Sequence, residues 1–310
     1  MELLPDELHT AIASYLSPHD YPNYRLISKR FSYIGADFLF SDFLFSPSTR
    51  TLQRMDLILK SELKTCIKTL DYDGTVHHIP SKRHNDPPTS PGPEVLVKVV
   101  EAFAKAGVRI TNLTAHALPY DFFDPGRFPE SFARICSNLT AFNLQTQYAI
   151  APDHALCAFL KGLEKLESLT LHFGPQRDYG FNGPRPYLYD VLPRGKTWAR
   201  LRRVALKYVR VTVGGLLSVL EVYSETLQEV HLAGITVIRV VGDSQLGNVE
   251  LQRNAWRRIF GGLATLKRLQ EASVRESTVT AVRVWRVYGP GRWVDVSTDV
   301  YGCLADEEDE

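Results

Sequence analysis

The same short spacing of apolar residues, apolar-x-x-apolar-x-apolar, returns six times along the chain. It reads Ile67-x-x-Leu70-x-Tyr72, Ile110-x-x-Leu113-x-Ala115, Leu139-x-x-Phe142-x-Leu144, Leu166-x-x-Leu169-x-Leu171, Leu201-x-x-Val204-x-Leu206 and Leu227-x-x-Val230-x-Leu232. A seventh, opened by Leu266 and Leu269, is broken at its third position by Glu271. Alternation over the last residues of each copy has the period of a strand with one buried face. Amphipathic stretches lie between the copies, at Glu94–Ala106 (followed by Gly107 as C-cap), Glu130–Cys136, Asp153–Leu163, Gly215–Tyr223 and Ala255–Leu263. These predict helices. A unit that alternates strand and helix cannot bury its apolar face alone, so it stacks on its neighbours.

Successive starts lie 43, 29, 27, 35, 26 and 39 residues apart. The short intervals match leucine-rich repeats of about 20–29 residues. The long ones match repeats with insertions, and residues 77–93 and 174–195 are rich in the prolines and glycines of loops. The expected fold class is α/β, with a curved solenoid over residues 63–278 whose strands line the concave side. A non-repeating α/β domain is the alternative. Residues 279–303, with Gly289-Pro290-Gly291 at a turn, predict a β-hairpin that caps the open end. Residues 304–310 form an acidic tail.

In that register the strand residues between the buried positions face solvent. The candidates for contact with a client protein are Asp71, Asp73, Asn112, His116, Asn143, Gln145, His172, Arg203, Lys207, Glu229 and His231. The bland reading is a polar solvent face that binds nothing specific.

The first 45 residues follow a different pattern. Pro5 and Asp6 open a helix that places Leu8, Ile12, Tyr15 and Leu16 on one face. Ser17-Pro18-His19-Asp20 makes a turn, with Asp20 as the next N-cap and Pro22 in the first helical turn. A second helical stretch carries Leu26, Ile27, Phe31 and Ile34, and aromatic residues crowd positions 38–45. The apolar set exceeds one face, so part of it needs cover from another surface. Leu4-Pro5-Asp6-Glu7-Leu8, then Ile12, Tyr15-Leu16, then Arg25-Leu26-Ile27-Ser28-Lys29-Arg30-Phe31 strongly resemble an F-box in order and spacing. Tyr21-Pro22 departs from the leucines usual there. The resemblance implies a module of about three helices over residues 1–45 that docks on a Skp-family adaptor and, through it, a cullin. It implies Leu4, Pro5, Leu8, Ile12, Leu16, Leu26, Ile27 and Phe31 as the adaptor-binding set, some of them internal to the module. Residues 46–62 would link it to the solenoid. An F-box followed by degenerate repeats is similar to divergent fungal substrate receptors of ubiquitin ligases. The expected function is therefore substrate recognition, and the alternative is a scaffold outside ubiquitin ligation.

Charge and motifs narrow the remaining classes. The chain has 36 basic and 35 acidic side chains, and the last five residues are all acidic. The body is mildly basic and lacks the dense Lys/Arg stripe of a nucleic-acid binder. The most apolar run, Phe38 to Phe45, is interrupted by Ser41 and Asp42 and is far shorter than the ~20 residues of a membrane span. Early acids and an early proline argue against a signal peptide, so cytoplasm or nucleus is expected. Cys66, Cys136, Cys157 and Cys303 form no Cys-x-x-Cys pair and read as reduced, buried residues. His77, His78, His84 and Asp86 come nearest to a metal cluster, but they sit in a proline-rich loop, and neither metal nor cofactor is expected. Phosphate-loop, His-Glu-x-x-His and Gly-x-Ser-x-Gly motifs are missing, so an enzyme is not expected. The four tryptophans read as core or capping residues.

Overall fold

The computed structural model describes residues 4–46, 48–74, 94–118, 120–123, 130–146, 154–173, 185–193, 195, 198–238, 249–277, 282–288 and 293–295. The chain forms two compact units, Met1–Ala117 with Phe128–Leu139, and Leu118–Arg127 with Thr140–Glu310.

The first unit begins with three short helices, α1 (Asp6–Ser14), α2 (Tyr21–Arg25) and α3 (Lys29–Phe40). Pro5 occupies the N-cap of α1, where a missing N–H costs nothing, and its carbonyl accepts from the amides of Leu8 and His9. Asp6 stands in the first turn, and its carboxylate pairs with Arg30 of α3. The single second stretch expected from the apolar pattern is in fact divided. The Ser28 hydroxyl accepts the Phe31 amide at 3.3 Å, and this cap starts α3 afresh. Asp20 holds the N-cap position of α2 without capping it; its carboxylate instead accepts from the Ser17 hydroxyl at 2.7 Å. Ala13, Tyr24 and Phe31 form the core, with Leu16, Ile34 and Phe38 packed on it. Gly35 allows α2 and α3 to approach, since a Cβ there would lie 2.5 Å from Cγ of Arg25.

The aromatic run that follows contains a strand, β1 (Asp42–Phe45), pairing in parallel with β2 (Thr69–Asp73). Phe43 and Phe45 point inward, against Phe103 and Tyr72, while Asp42 and Leu44 stay exposed. Helix α4 (Thr49–Leu59) joins β1 to β2. Helix α5 (Glu94–Ala106) precedes β3 (Asn112–Leu118), which pairs in parallel with β2. Gly107, at φ +74°, ends α5 in the left-handed conformation that a side chain disfavours. Helix α6 (Glu130–Cys136) packs on α5.

The second unit runs β4 (Ala141–Thr146), α7 (His154–Lys161), β5 (Ser168–Phe173), α8 (Leu188–Val191), β6 (Arg203–Lys207), β7 (Arg210–Val211), α9 (Val213–Glu221), β8 (Glu229–Ala233), β9 (Thr236–Val237), α10 (Val249–Ala264), β10 (Glu271–Ser277), β11 (Val282–Tyr288) and β12 (Trp293–Asp295). Strands β4, β5, β6, β8 and β10 pair in parallel in that order; β11 and β12 follow antiparallel. Strands β7 and β9 make a separate parallel pair. Phe142, Leu169, Val204, Val230 and Ala272 form one row across the sheet, and Leu144, Leu171, Leu206, Leu232 and Val274 form the next. Every residue of both rows is buried. The seventh copy of the cadence is therefore Leu269-x-x-Ala272-x-Val274, complete and three residues later than the broken one expected. Parallel sheet with helical crossovers is common to many α/β architectures and does not by itself distinguish a repeat solenoid.

Trp198 lies in the core, donates Nε1–H to the Leu160 carbonyl at 3.0 Å and stacks on Tyr223. Trp256 is also buried. Cys66, Cys136 and Cys157 are free and buried, and burial pushes all three thiols up. The loop around His77, His78, His84 and Asp86, the side chains of Trp285 and Trp293, Cys303 and the acidic tail lie outside the described residues. Among the described residues, no helix is long and apolar enough to cross a membrane.

Candidate functional site

Helix α1 has two faces. His9 and Ala13 turn inward to Phe31, with the His9 ring edge-on at 4.7 Å. Leu8, Ile12 and Tyr15 occupy the opposite side at i, i+4 and i+7, open to solvent, with Ile12 46% and Tyr15 91% exposed. The break between α2 and α3 turns Leu26 and Ile27 outward, Leu26 to 83% exposure. Pro5 is exposed and Leu4 half-buried. Leu16 packs against the core. Phe31, at 3% exposure, is the centre of that core and does not belong to a contact surface. Tyr15 was absent from the expected set although its helical spacing from Leu8 marks it. Large apolar side chains left in water on a small helical unit are the mark of a protein-binding face.

The second candidate surface is the polar side of the strands. In the first unit Asp71 lies across from Thr114, and Asp73 from His116. His116 Nε2 stands 4.0 Å from Asp71 Oδ1. Burial raises the Asp71 carboxyl above its ordinary range; His116 opposes this, while Asp73 and Asp42 add to it. Asn112 donates Nδ2–H to the Thr69 hydroxyl at 3.4 Å.

In the second unit Asn143 stands opposite Thr170, and Gln145, His172 and Lys207 form one cross-strand row. His172 stacks on Tyr208 at 5.4 Å. Glu229 Oε2 faces Arg203 Nε at 3.3 Å and His231 Nε2 at 3.5 Å, and His231 Nδ1 meets the Ser273 hydroxyl at 2.7 Å. Reading the seventh cadence three residues early hid Ser273. Ser273 sits in a strand paired on both sides, so the amides beside it on β10 belong to the ladder.

No curated protein matches the chain. Residues 1–40 match the family model of the F-box domain. F-box domains bind Skp-family adaptors of cullin-based ubiquitin ligases, and the proteins that carry them are typically adaptors rather than enzymes. The helical segment that leaves Leu8, Ile12, Tyr15, Leu26 and Ile27 in water is thus an F-box domain.

Proposed function

We propose that the chain is a substrate-recognition adaptor of a cullin-type (SCF) ubiquitin ligase. The observation that carries this reading is the division of labour in the F-box. Ala13, Tyr24 and Phe31 supply a core, while Leu8, Ile12, Leu26 and Ile27 stay outside it. A Skp-family adaptor would cover that outer set, with Leu4 and Pro5 at the start of α1. Residues 63–278 would act as a degenerate leucine-rich-repeat array, closed by the hairpin of residues 279–303. Support for the array comes from the buried rows, where equivalent positions of successive cadences pair strand to strand. The client protein would lie across the polar rows, with the mixed charges of Arg203, Glu229, His231 and Lys207 setting its orientation. Such a receptor contributes proximity: it raises the local concentration of client lysines near the charged thioester of the conjugating enzyme.

Co-purification tests the reading. The wild-type chain should retain both a Skp-family adaptor and a cullin, and L4A/P5A should lose both while staying folded by circular dichroism. Retention of the adaptor by the folded double variant would refute the assigned face. Retention of adaptor without cullin by the wild-type chain would instead favour a scaffold outside ubiquitin ligation.

A further inference from the structure

The second unit holds a cavity of about 500 Å³, within the range of small-ligand sites. Its walls are Tyr187 and Leu192 on one side, Val219, Val222 and Tyr223 on another, and Ile238. Among the described residues of its lining, Arg210 is the one charged side chain. Arg210 stands beneath Tyr187, its guanidinium carbon 5.6 Å from the ring centre. Its Nε is buried, and no described residue supplies that atom with a hydrogen-bond acceptor. Among the described residues no carboxylate lies within ion-pair distance of Arg210. Asp190, the acid of α8, is not part of the lining.

A buried N–H such as Nε without an acceptor is costly, and the face of one tyrosine offsets only part of that cost. The surroundings add positive potential. The N-cap of α9, Thr212, lies two residues away, and Gly215 in the first turn forms part of the wall. Arg185 is close enough for the Arg210 charge to act on it; burial, the leading cause, pushes the Arg185 pKa below its ordinary value, Tyr208 opposes this, and Arg210 adds to the fall. Nη1 of Arg185 donates to the Gly234 carbonyl and the Thr236 hydroxyl. Other polar groups of the lining are also occupied: Thr212 accepts from the Gly215 amide, Ser218 donates to the Gly215 carbonyl, and Tyr223 donates to the Gly195 carbonyl. What the described residues leave is an apolar, aromatic-walled space with the Arg210 guanidinium in its lining. We propose that this cavity is a binding site for a small apolar carboxylic acid, its ring between Tyr187, Tyr223 and α9 and its carboxylate on Arg210.

The inference does not depend on the adaptor reading, since the cavity lies wholly in the second unit, and its failure would leave that reading untouched. The test is calorimetric titration of the full chain with 2-naphthoate and with 2-naphthamide, which has the same ring and no charge. The acid should bind at least tenfold more tightly than the amide. R210M should abolish that preference, and R210K should restore part of it. V219W, which fills the space, should bind neither; S218W replaces it if V219W does not fold by circular dichroism. The proposal is overturned if wild-type protein does not bind 2-naphthoate, if acid and amide bind alike, or if folded R210M keeps the preference.

Discussion

Truncating Leu26 to alanine should weaken adaptor binding about thirtyfold while leaving the chain folded. The change deletes three carbons worth ~0.8 kcal/mol each when buried. In the free protein 83% of the residue is exposed, so nearly all of that gain is still available to a partner. Scaling one by the other gives about 2 kcal/mol, or about thirtyfold in Kd. Ile12 is 46% exposed and offers about half as much, about 1.1 kcal/mol, so I12A should cost about sixfold. Phe31 is the control of opposite kind. Phe31→Ala would remove about 3–5 kcal/mol from a core that supplies little more than that, so binding would be lost through unfolding. The assay is calorimetric titration of a Skp-family adaptor with each full-length variant, alongside thermal melts. If L26A and I12A bind within twofold of wild type, or if I12A costs more than L26A, the assignment of this face is wrong.

Four further outcomes follow from particular contacts. Ser28→Ala removes the cap that separates α2 from α3 and should destabilise the F-box by about 1 kcal/mol in thermal denaturation; an unchanged melt would show that the cap is idle. Asp71 has its folded pKa raised, so the native state holds the proton to higher pH than the unfolded chain and this group's contribution to stability falls as pH rises through the carboxylate range. D71N should therefore be more stable than wild type in urea at neutral pH, and the gap should close below the unfolded carboxylate value of ~3.9; a gap that persists in acid would contradict this. Gly234 lies at φ +57°, and a Cβ there would stand 2.6 Å from the Tyr208 ring, so G234A should cost about 1–3 kcal/mol in urea denaturation. W198F leaves the Leu160 carbonyl without its indole donor and should cost about 1–3 kcal/mol, and a loss below about 0.5 kcal/mol would mean the bond contributes nothing net.

The cadence was legible because a strand buried on one face must repeat apolar residues at period two, and neighbouring strands must repeat them in register. The same rule misled at the seventh copy. Leu266 and Leu269 imitate a start, and only the pairing of β10 with β8 shows that Leu269 opens the cadence. The F-box was legible from its apolar spacing, yet the break between α2 and α3 was not. Apolar residues run through Leu26 and Ile27 without pause, and the one local signal is Ser28 with a free amide three residues on. Strand β1 was masked by aromatic density, although Asp42-Phe43-Leu44-Phe45 alternates as a strand should. Phe31 and Leu26 look alike in the pattern; only packing separates a core residue from an exposed one. The cavity had no sequence signature at all, because Tyr187, Arg210, Tyr223 and Ile238 come from separate segments that only the fold brings to one wall.

Corresponding residues of β2 and β3 lie 43 positions apart in the chain, and those of β6 and β8 only 26. The pairing is equally regular in both. Closing the longer excursion costs only about 0.5 kcal/mol more, since the entropy of a loop grows with the logarithm of its length. Segments that leave the sheet can therefore lengthen or shorten almost freely while the strands keep their alignment. Mutation can rewrite the excursions and spare the scaffold from which they spring.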